Sequence, residues 1–364
     1  MPRPIIGSYE SDPAMPSNAR ATHLTRRGLL AAGGAFGLGA ALVACGTDTG
    51  KGDKDSGAAA GKSGPFTFKD DRGKAVELKS TPKNIVAFTG MAAALHDFGV
   101  EVKGVFGPTY VEDPKTKKRT PDVQAGDLDI DKVEVIGNTW GEFKIEEYLK
   151  LQPELLITDM WEKDQLWYVP EEQKDKILKI APSVALWAAD ATMPKVLQRH
   201  VDLAAALGAD VKAKKIQDDK ARFEKAAARL RQAAKAKPGI KVLIGSAAAD
   251  LFYVSTPARP SDTLYFKELG VNLVTPKKLD QGGWFESLSW ENVDTYQADI
   301  ILLDNRSSAL QPEALKSKPT WAQLPAVKAG QVVPRVTEPV YSYGKCAPIL
   351  EDLAKAIENA KKVA

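Results

Sequence analysis

The chain has 364 residues, of which 44% are hydrophobic, 27% charged and 7% aromatic. At about 150 residues per domain this length holds two or three folded units, and the composition excludes whole-chain disorder, a collagen-like chain and a multi-span membrane protein. Fifty Lys and Arg against 47 Asp and Glu leave a net charge of +3, too near neutral for a nucleic-acid partner, which shows as a basic domain.

Residues 1–44 read as an export signal. A polar, Pro-rich start gives way at Arg26 and Arg27 to an Ala/Gly/Leu run of 17 residues, 28–44, with five glycines. A spanning helix needs about 20 apolar residues, so this run is a poor transmembrane anchor. The arginine pair resembles a twin-arginine signal and is also compatible with general secretion. Leu42-Val43-Ala44-Cys45 resembles the lipobox of bacterial lipoproteins. That resemblance implies that Cys45 is acylated, becomes the new N-terminus and holds the protein on the bilayer. Residues 45–64 lack large apolar side chains and read as a flexible tether. With Cys45 lipidated, Cys346 has no partner and is expected to be a solitary buried thiol.

From residue 65 onward short β-branched runs alternate with helical patterns, the rhythm of parallel βα units. In the first half strands are expected at 85–88, 102–105, 155–158 and 183–187, with helices near 91–98, 145–151 and 171–180. Residues 194–236 contain only Pro194 and Gly208 as helix breakers, and their apolar spacing predicts one long helix or two divided at Gly208. The second half predicts strands at 241–244, 271–274, 300–303 and 332–333 and helices near 261–269, 290–296 and 347–363. This gives an α/β fold with two lobes of mostly parallel sheet, 65–190 and 238–364. A backbone helix over 191–237 joins them, and a ligand cleft lies between them.

A faint repeat supports two similar lobes. Glu146 precedes the strand-terminal Asp159 by 13 residues, and Glu291 precedes Asp304 by the same interval. Two residues beyond each aspartate stand Trp161 and Arg306, and ligands of open α/β sheets bind at such carboxyl ends of strands. Both are therefore expected to face the cleft.

These features together resemble the helical-backbone class of ABC-transporter substrate-binding proteins, which serves ferric siderophores, cobalamin and haem. The segments that carry the resemblance are P-K-N-I-V-A-F (82–88), L-H-D-F-G-V-E-V-K-G-V (95–105), I-E-E-Y-L-K-L-Q-P-E-L-L-I-T (145–158), S-W-E-N-V-D-T-Y-Q-A-D-I-I-L-L-D (289–304) and L-P-A-V-K-A-G-Q-V (324–332). The resemblance implies an exported monomer, anchored by lipid to the outer face of the cytoplasmic membrane, that delivers its ligand to transmembrane subunits. It also implies docking through one exposed glutamate per lobe, and these fall at Glu146 and Glu291. Carboxylates in a first helical turn also suit the helix dipole, whatever else they do.

For the ligand, a bare transition-metal site is disfavoured, since outside the signal only His96, His200, Cys45 and Cys346 could supply nitrogen or sulfur. No G-x-S-x-G, H-E-x-x-H or phosphate loop is present, so a secreted hydrolase is the weaker alternative and no catalytic residue or cofactor is assigned. Trp140, Trp161, Trp284, Tyr341 and Tyr343 lie in irregular stretches where aromatics can line a broad cleft. Trp187 and Trp290 read as structural. Arg306 is the leading polar candidate because a guanidinium can bond iron-coordinating oxygens while stacking on a ring; Arg335 is second. A triply negative tricatecholate calls for a basic cluster, whereas a ferric hydroxamate suits aromatics with one arginine. The ligand expected is therefore an Fe(III)-siderophore complex of hydroxamate type, with cobalamin or haem as the alternative. Lys115, Lys117, Lys118 and Arg119 sit in a 107–132 insertion rich in aspartate and read as a solvated loop near the cleft rim.

Overall fold

The computed structural model describes residues 64–364. The signal segment, Cys45 and the tether up to residue 63 lie outside the described residues. Among the described residues, no helix is long and apolar enough to cross a membrane.

A hairpin of β1 (Phe66–Lys69) and β2 (Ala75–Leu78) precedes the first lobe. The lobe then runs through β3 (Ile85–Phe88), α1 (Thr89–Asp97), β4 (Gly104–Phe106), β5 (Tyr110–Glu112), β6 (Arg119–Pro121), β7 (Glu134–Gly137), α2 (Ile145–Lys150), β8 (Leu155–Met160), α3 (Lys174–Ile180) and β9 (Ser183–Trp187). Strands β7-β4-β3-β8-β9 form a sheet that is parallel throughout. All four residues of β3 and all six of β8 are buried, as expected of parallel strands covered on both faces. Each fully buried Val, Leu, Ile or Phe there contributes about 1.5–3 kcal/mol. The 107–132 insertion is not a plain loop: β5 and β6 pair as an antiparallel hairpin, with Arg119 stacked on Tyr110 at 4.3 Å.

The connector is two helices, α4 (Met193–Ala206) and α5 (Lys214–Ala236). Gly208 sits at the break with φ 95°, a conformation glycine adopts without the Cβ penalty. Helix α5 buries Ile216, Phe223, Ala226, Ala227, Leu230, Ala233 and Ala234, and turns its charged face to solvent.

The second lobe continues with β10 (Lys241–Ala247), β11 (Leu251–Ser255), α6 (Ser261–Glu268), β12 (Asn272–Leu273), β13 (Phe285–Ser289), β14 (Ile300–Asp304), three short helices α7 (Pro312–Leu315), α8 (Pro319–Gln323) and α9 (Pro325–Lys328), β15 (Val332–Arg335) and α10 (Tyr343–Asn359). Its sheet order is β13-β11-β10-β14-β15, with β12 also on β10. Here the expectation of simple alternation needs adjustment. The β11 and β13 strands are antiparallel additions, and the segment from Trp290 to Thr295 is a 3₁₀-helix rather than an α-helix.

Helix α10 packs along α5. Arg222 pairs with Glu351, and seven residues on in both helices Arg229 pairs with Glu358. Equal steps in the same sense mean that the two helices run parallel with matched heptads. These pairs are largely solvent-facing, worth about 0–1 kcal/mol each, so the apolar seam beneath them carries the packing. Cys346, on α10, is fully buried and free, and burial pushes its thiol well above the usual range.

Candidate functional site

Parallel strands deliver their carboxyl ends to one edge of each lobe, and the residues just beyond those ends meet across a cavity of about 310 Å³. That is near the lower end of the about 300–1,000 Å³ typical of small-molecule sites. Past β8 come Trp161, Glu162, Gln165 and Trp167; past β14 comes Arg306; β15 ends in Arg335, with Thr337 and Glu338 following. The antiparallel strands β11 and β13 supply Ser255 and Phe285, with Trp284 just before the latter.

The aromatic wall is continuous. Trp161 meets Trp284 edge-on at 6.0 Å and Trp167 at 6.0 Å, and Trp167 meets Tyr168 at 5.8 Å. Trp140 packs at 4.9 Å on Trp167 and 5.0 Å on Tyr168 while remaining 51% exposed, so it belongs to the rim. Tyr168 stacks on Phe88 at 5.4 Å and holds φ 59°, a left-handed backbone that costs a non-glycine residue about 1–2 kcal/mol. The surrounding ring contacts offset that strain.

Three arginines stand in the cleft, and each faces carboxylates. Arg335 makes a buried bidentate pair with Asp262, both bonds at 2.9 Å. Arg306 donates from Nε and Nη2 to Asp304 and from Nη1 to Glu338. Burial alone would favour the neutral form of Asp304, but the Arg306 guanidinium and the hydroxyl of Ser246 hold its carboxyl below the ordinary range. Burial likewise opposes the charge of Arg306, and Glu338 and Asp304 outweigh it. At the rim, Arg259 donates to Asp190 and Glu162, lies 4.0 Å over Trp284, and is held above its usual value chiefly by Asp190. Glu162 also accepts from Trp284 Nε1 at 2.5 Å.

Glu338 is the centre of the floor. It is 7% exposed and accepts from Gln124 Nε2 at 2.5 Å and Trp167 Nε1 at 3.1 Å on the first lobe, as well as from Arg306 on its own lobe. Nearby, Ser307 donates to Asp122 across the same boundary at 2.5 Å. Buried polar atoms without partners also lie on the wall, namely Trp161 Nε1 and Thr337 Oγ1.

Of the residues singled out in sequence, Trp161, Trp284, Arg306 and Arg335 line the cavity and Trp140 stands on its rim. Tyr341 and Tyr343 require correction, since neither lines it. Tyr341 is 1% exposed, shares a hydrogen bond with Ser261 and donates to the carbonyl of Ala188, which fixes it in the core. Tyr343 opens α10 and packs on Phe223 at 5.9 Å. An irregular stretch after a strand was a fair sign of exposure, but α10 draws this one inward. Trp290 is buried with its Nε1 on the carbonyl of Ala249, a structural position. Glu338, Glu162, Arg259, Trp167 and Phe285 were not read from sequence.

Glu146 and Glu291 are both exposed, in the first turns of α2 and of the 3₁₀-helix respectively. Among the described residues neither is in an ion pair. Backbone N–H and the Ser289 hydroxyl hold the Glu291 carboxyl below its usual value. No group of three or more His, Cys, Asp or Glu suited to a metal ion occurs among the described residues.

Residues 86–334 match the model of a family described as periplasmic binding protein. Among solved structures, DesE, a ferric-siderophore receptor protein from Streptomyces coelicolor, is 60% identical, with a TM-score of 0.79 over 82% of this chain and 100% of that one. Two relatives from Bacillus subtilis are more distant. The iron(3+)-hydroxamate-binding protein FhuD is 26% identical over 92% of this chain and 100% of its own length. The Fe(3+)-citrate-binding protein YfmC is 24% identical over 80% and 85%. With more than half of its length matched by the family model and a two-lobed α/β fold around an aromatic cleft, the chain belongs to the periplasmic binding protein family.

Proposed function

We propose that the chain is the extracytoplasmic substrate-binding protein of an ABC importer, capturing a ferric siderophore of hydroxamate type and passing it to the permease without chemistry. The observation that carries this reading is the inter-lobe wall of Trp161, Trp167, Trp284 and Phe285 over Arg306. Such a wall gives a bulky chelate a large apolar contact area and few polar anchors. The relatives support it, one named as a ferric-siderophore receptor and one as a hydroxamate-binding protein. Among the described residues, the cavity lining contains no histidine, cysteine or methionine to ligate a haem iron, and His200 is buried with its Nδ1 at 2.9 Å from the carbonyl of Val196.

Glu146 and Glu291 would dock the two lobes to the transmembrane subunits, and Cys45 would tether the protein to the bilayer. In cells, an E146A/E291A pair should abolish ferric hydroxamate uptake while the purified variant keeps wild-type affinity and fold. Loss of binding and folding together would remove the docking role. Palmitate labelling that persists in C45A would remove the anchor.

A further inference from the structure

The charges around the cleft do not balance. Among the described residues, Glu162, Asp190, Asp262, Asp304 and Glu338 form ion pairs only with Arg259, Arg306 and Arg335. Five carboxylates against three guanidinium groups leave an excess of two negative charges. The Arg335–Asp262 pair is neutral in itself, so the excess resides with Glu338 at the floor and with the Glu162–Arg259–Asp190 cluster at the rim. Every bond to Glu338 comes from a donor, as an ionised carboxylate requires. Its partners on the first lobe, Gln124 and Trp167, are uncharged, and Arg306 already carries Asp304. Each of the three nitrogens of Arg306 is donating to a carboxylate. The unpartnered polar atoms on the wall, Trp161 Nε1 and Thr337 Oγ1, are neutral.

Building on the siderophore reading above, we propose that Glu338 sets the charge selectivity of the cleft. Asp304 already balances Arg306, so the buried carboxylate of Glu338 leaves that cluster one charge negative and repels anions. The cleft then admits ferric chelates that are neutral or carry a free ammonium group, and it rejects polyanionic ones. A charge held in a largely buried site acts over several ångströms with little screening, so one carboxylate is enough to discriminate between ligands of equal shape. Glu162, more exposed at 42%, acts in the same sense and more weakly.

The test is a matched pair of probes, ferrioxamine B with its free ammonium and the same chelate N-acetylated, with ferric enterobactin as a trianionic third. All are titrated against the full chain by tryptophan fluorescence. The wild-type chain should bind the ammonium form about fivefold more tightly than the acetylated one and should not bind ferric enterobactin. E338Q should bring the ratio to within about twofold of unity, E338D should keep it, and E162Q should lower it by about twofold or less. A wild-type ratio near one, or an unchanged ratio in E338Q, overturns the inference and leaves the siderophore reading standing. Failure of both ferrioxamine forms to bind overturns that reading instead. Should E338Q lack the wild-type circular dichroism spectrum, the wild-type ratio and E162Q decide: a ratio near one, or one that E162Q raises, overturns the inference.

Discussion

Asp304 ends β14 and Asp159 stands one residue before the end of the equivalent strand β8, each 13 residues after an exposed glutamate, yet their surroundings differ. Asp304 is fully buried and saturated, accepting from Ser246 Oγ at 2.8 Å and from the backbone and side chain of Arg306. Asp159 is 4% exposed and its Oδ1 has no partner; His200 Nε2, also unpartnered, stands 3.7 Å away, beyond a hydrogen bond. The residue two positions on is Arg306 in one lobe and Trp161 in the other. The repeated backbone fixes where the strand ends, and the side chain beyond it decides whether the terminal aspartate anchors the ligand site or sits beside it.

The comparison can be tested by disturbing each end in turn. Replacing Arg306 with alanine leaves Asp304 and Glu338 as facing buried carboxylates without a cation, and urea denaturation should show a loss of about 3–5 kcal/mol together with loss of ligand binding. D304N should cost less, about 1–3 kcal/mol, because the amide keeps part of the hydrogen bonding. It should also change the acid limb. The Asp304 carboxyl is held below its ordinary value in the fold. Its contribution is therefore complete above the unfolded value near 3.9 and is lost as pH falls below it. D304N should accordingly flatten the decline of stability below about pH 4, and an unchanged acid limb would contradict the pairing. D159N should have the smallest effect, under about 1 kcal/mol, since no hydrogen bond to Oδ1 is lost. A D159N variant as damaged as D304N would erase the distinction between the two ends.

Strands buried on both faces were legible as β-branched runs, so β3, β8, β9 and β14 fall where the sequence places them. The strands not read are β1, β2, β5, β6, β7, β11 and β13; several are short or half-exposed, such as F-E-S-L-S in β13, which carries no continuous apolar signal. Trp161 and Arg306 could be found because the repeat puts them at strand ends. Glu338 obeys the same rule three residues past β15, but V-T-E-P-V reads as an ordinary surface turn. Its partners Gln124 and Trp167 on the first lobe and Arg306 on its own are all distant in sequence. Glu162 and Arg259 are separated by 97 positions, and neither segment records that they meet. Tyr341 and Tyr343 show the converse error, where local irregularity suggests exposure but Ser261 and Ala188 hold Tyr341 in the core and Phe223 of α5 covers Tyr343.

Tryptophan-fluorescence titration of the full chain against ferrioxamine, ferrichrome, ferric enterobactin, cobalamin and haem tests the central claim most directly, because Trp161, Trp167 and Trp284 form the cavity wall. Saturable quenching by the ferric hydroxamates is the expected result; saturable quenching by cobalamin or haem alone would contradict it.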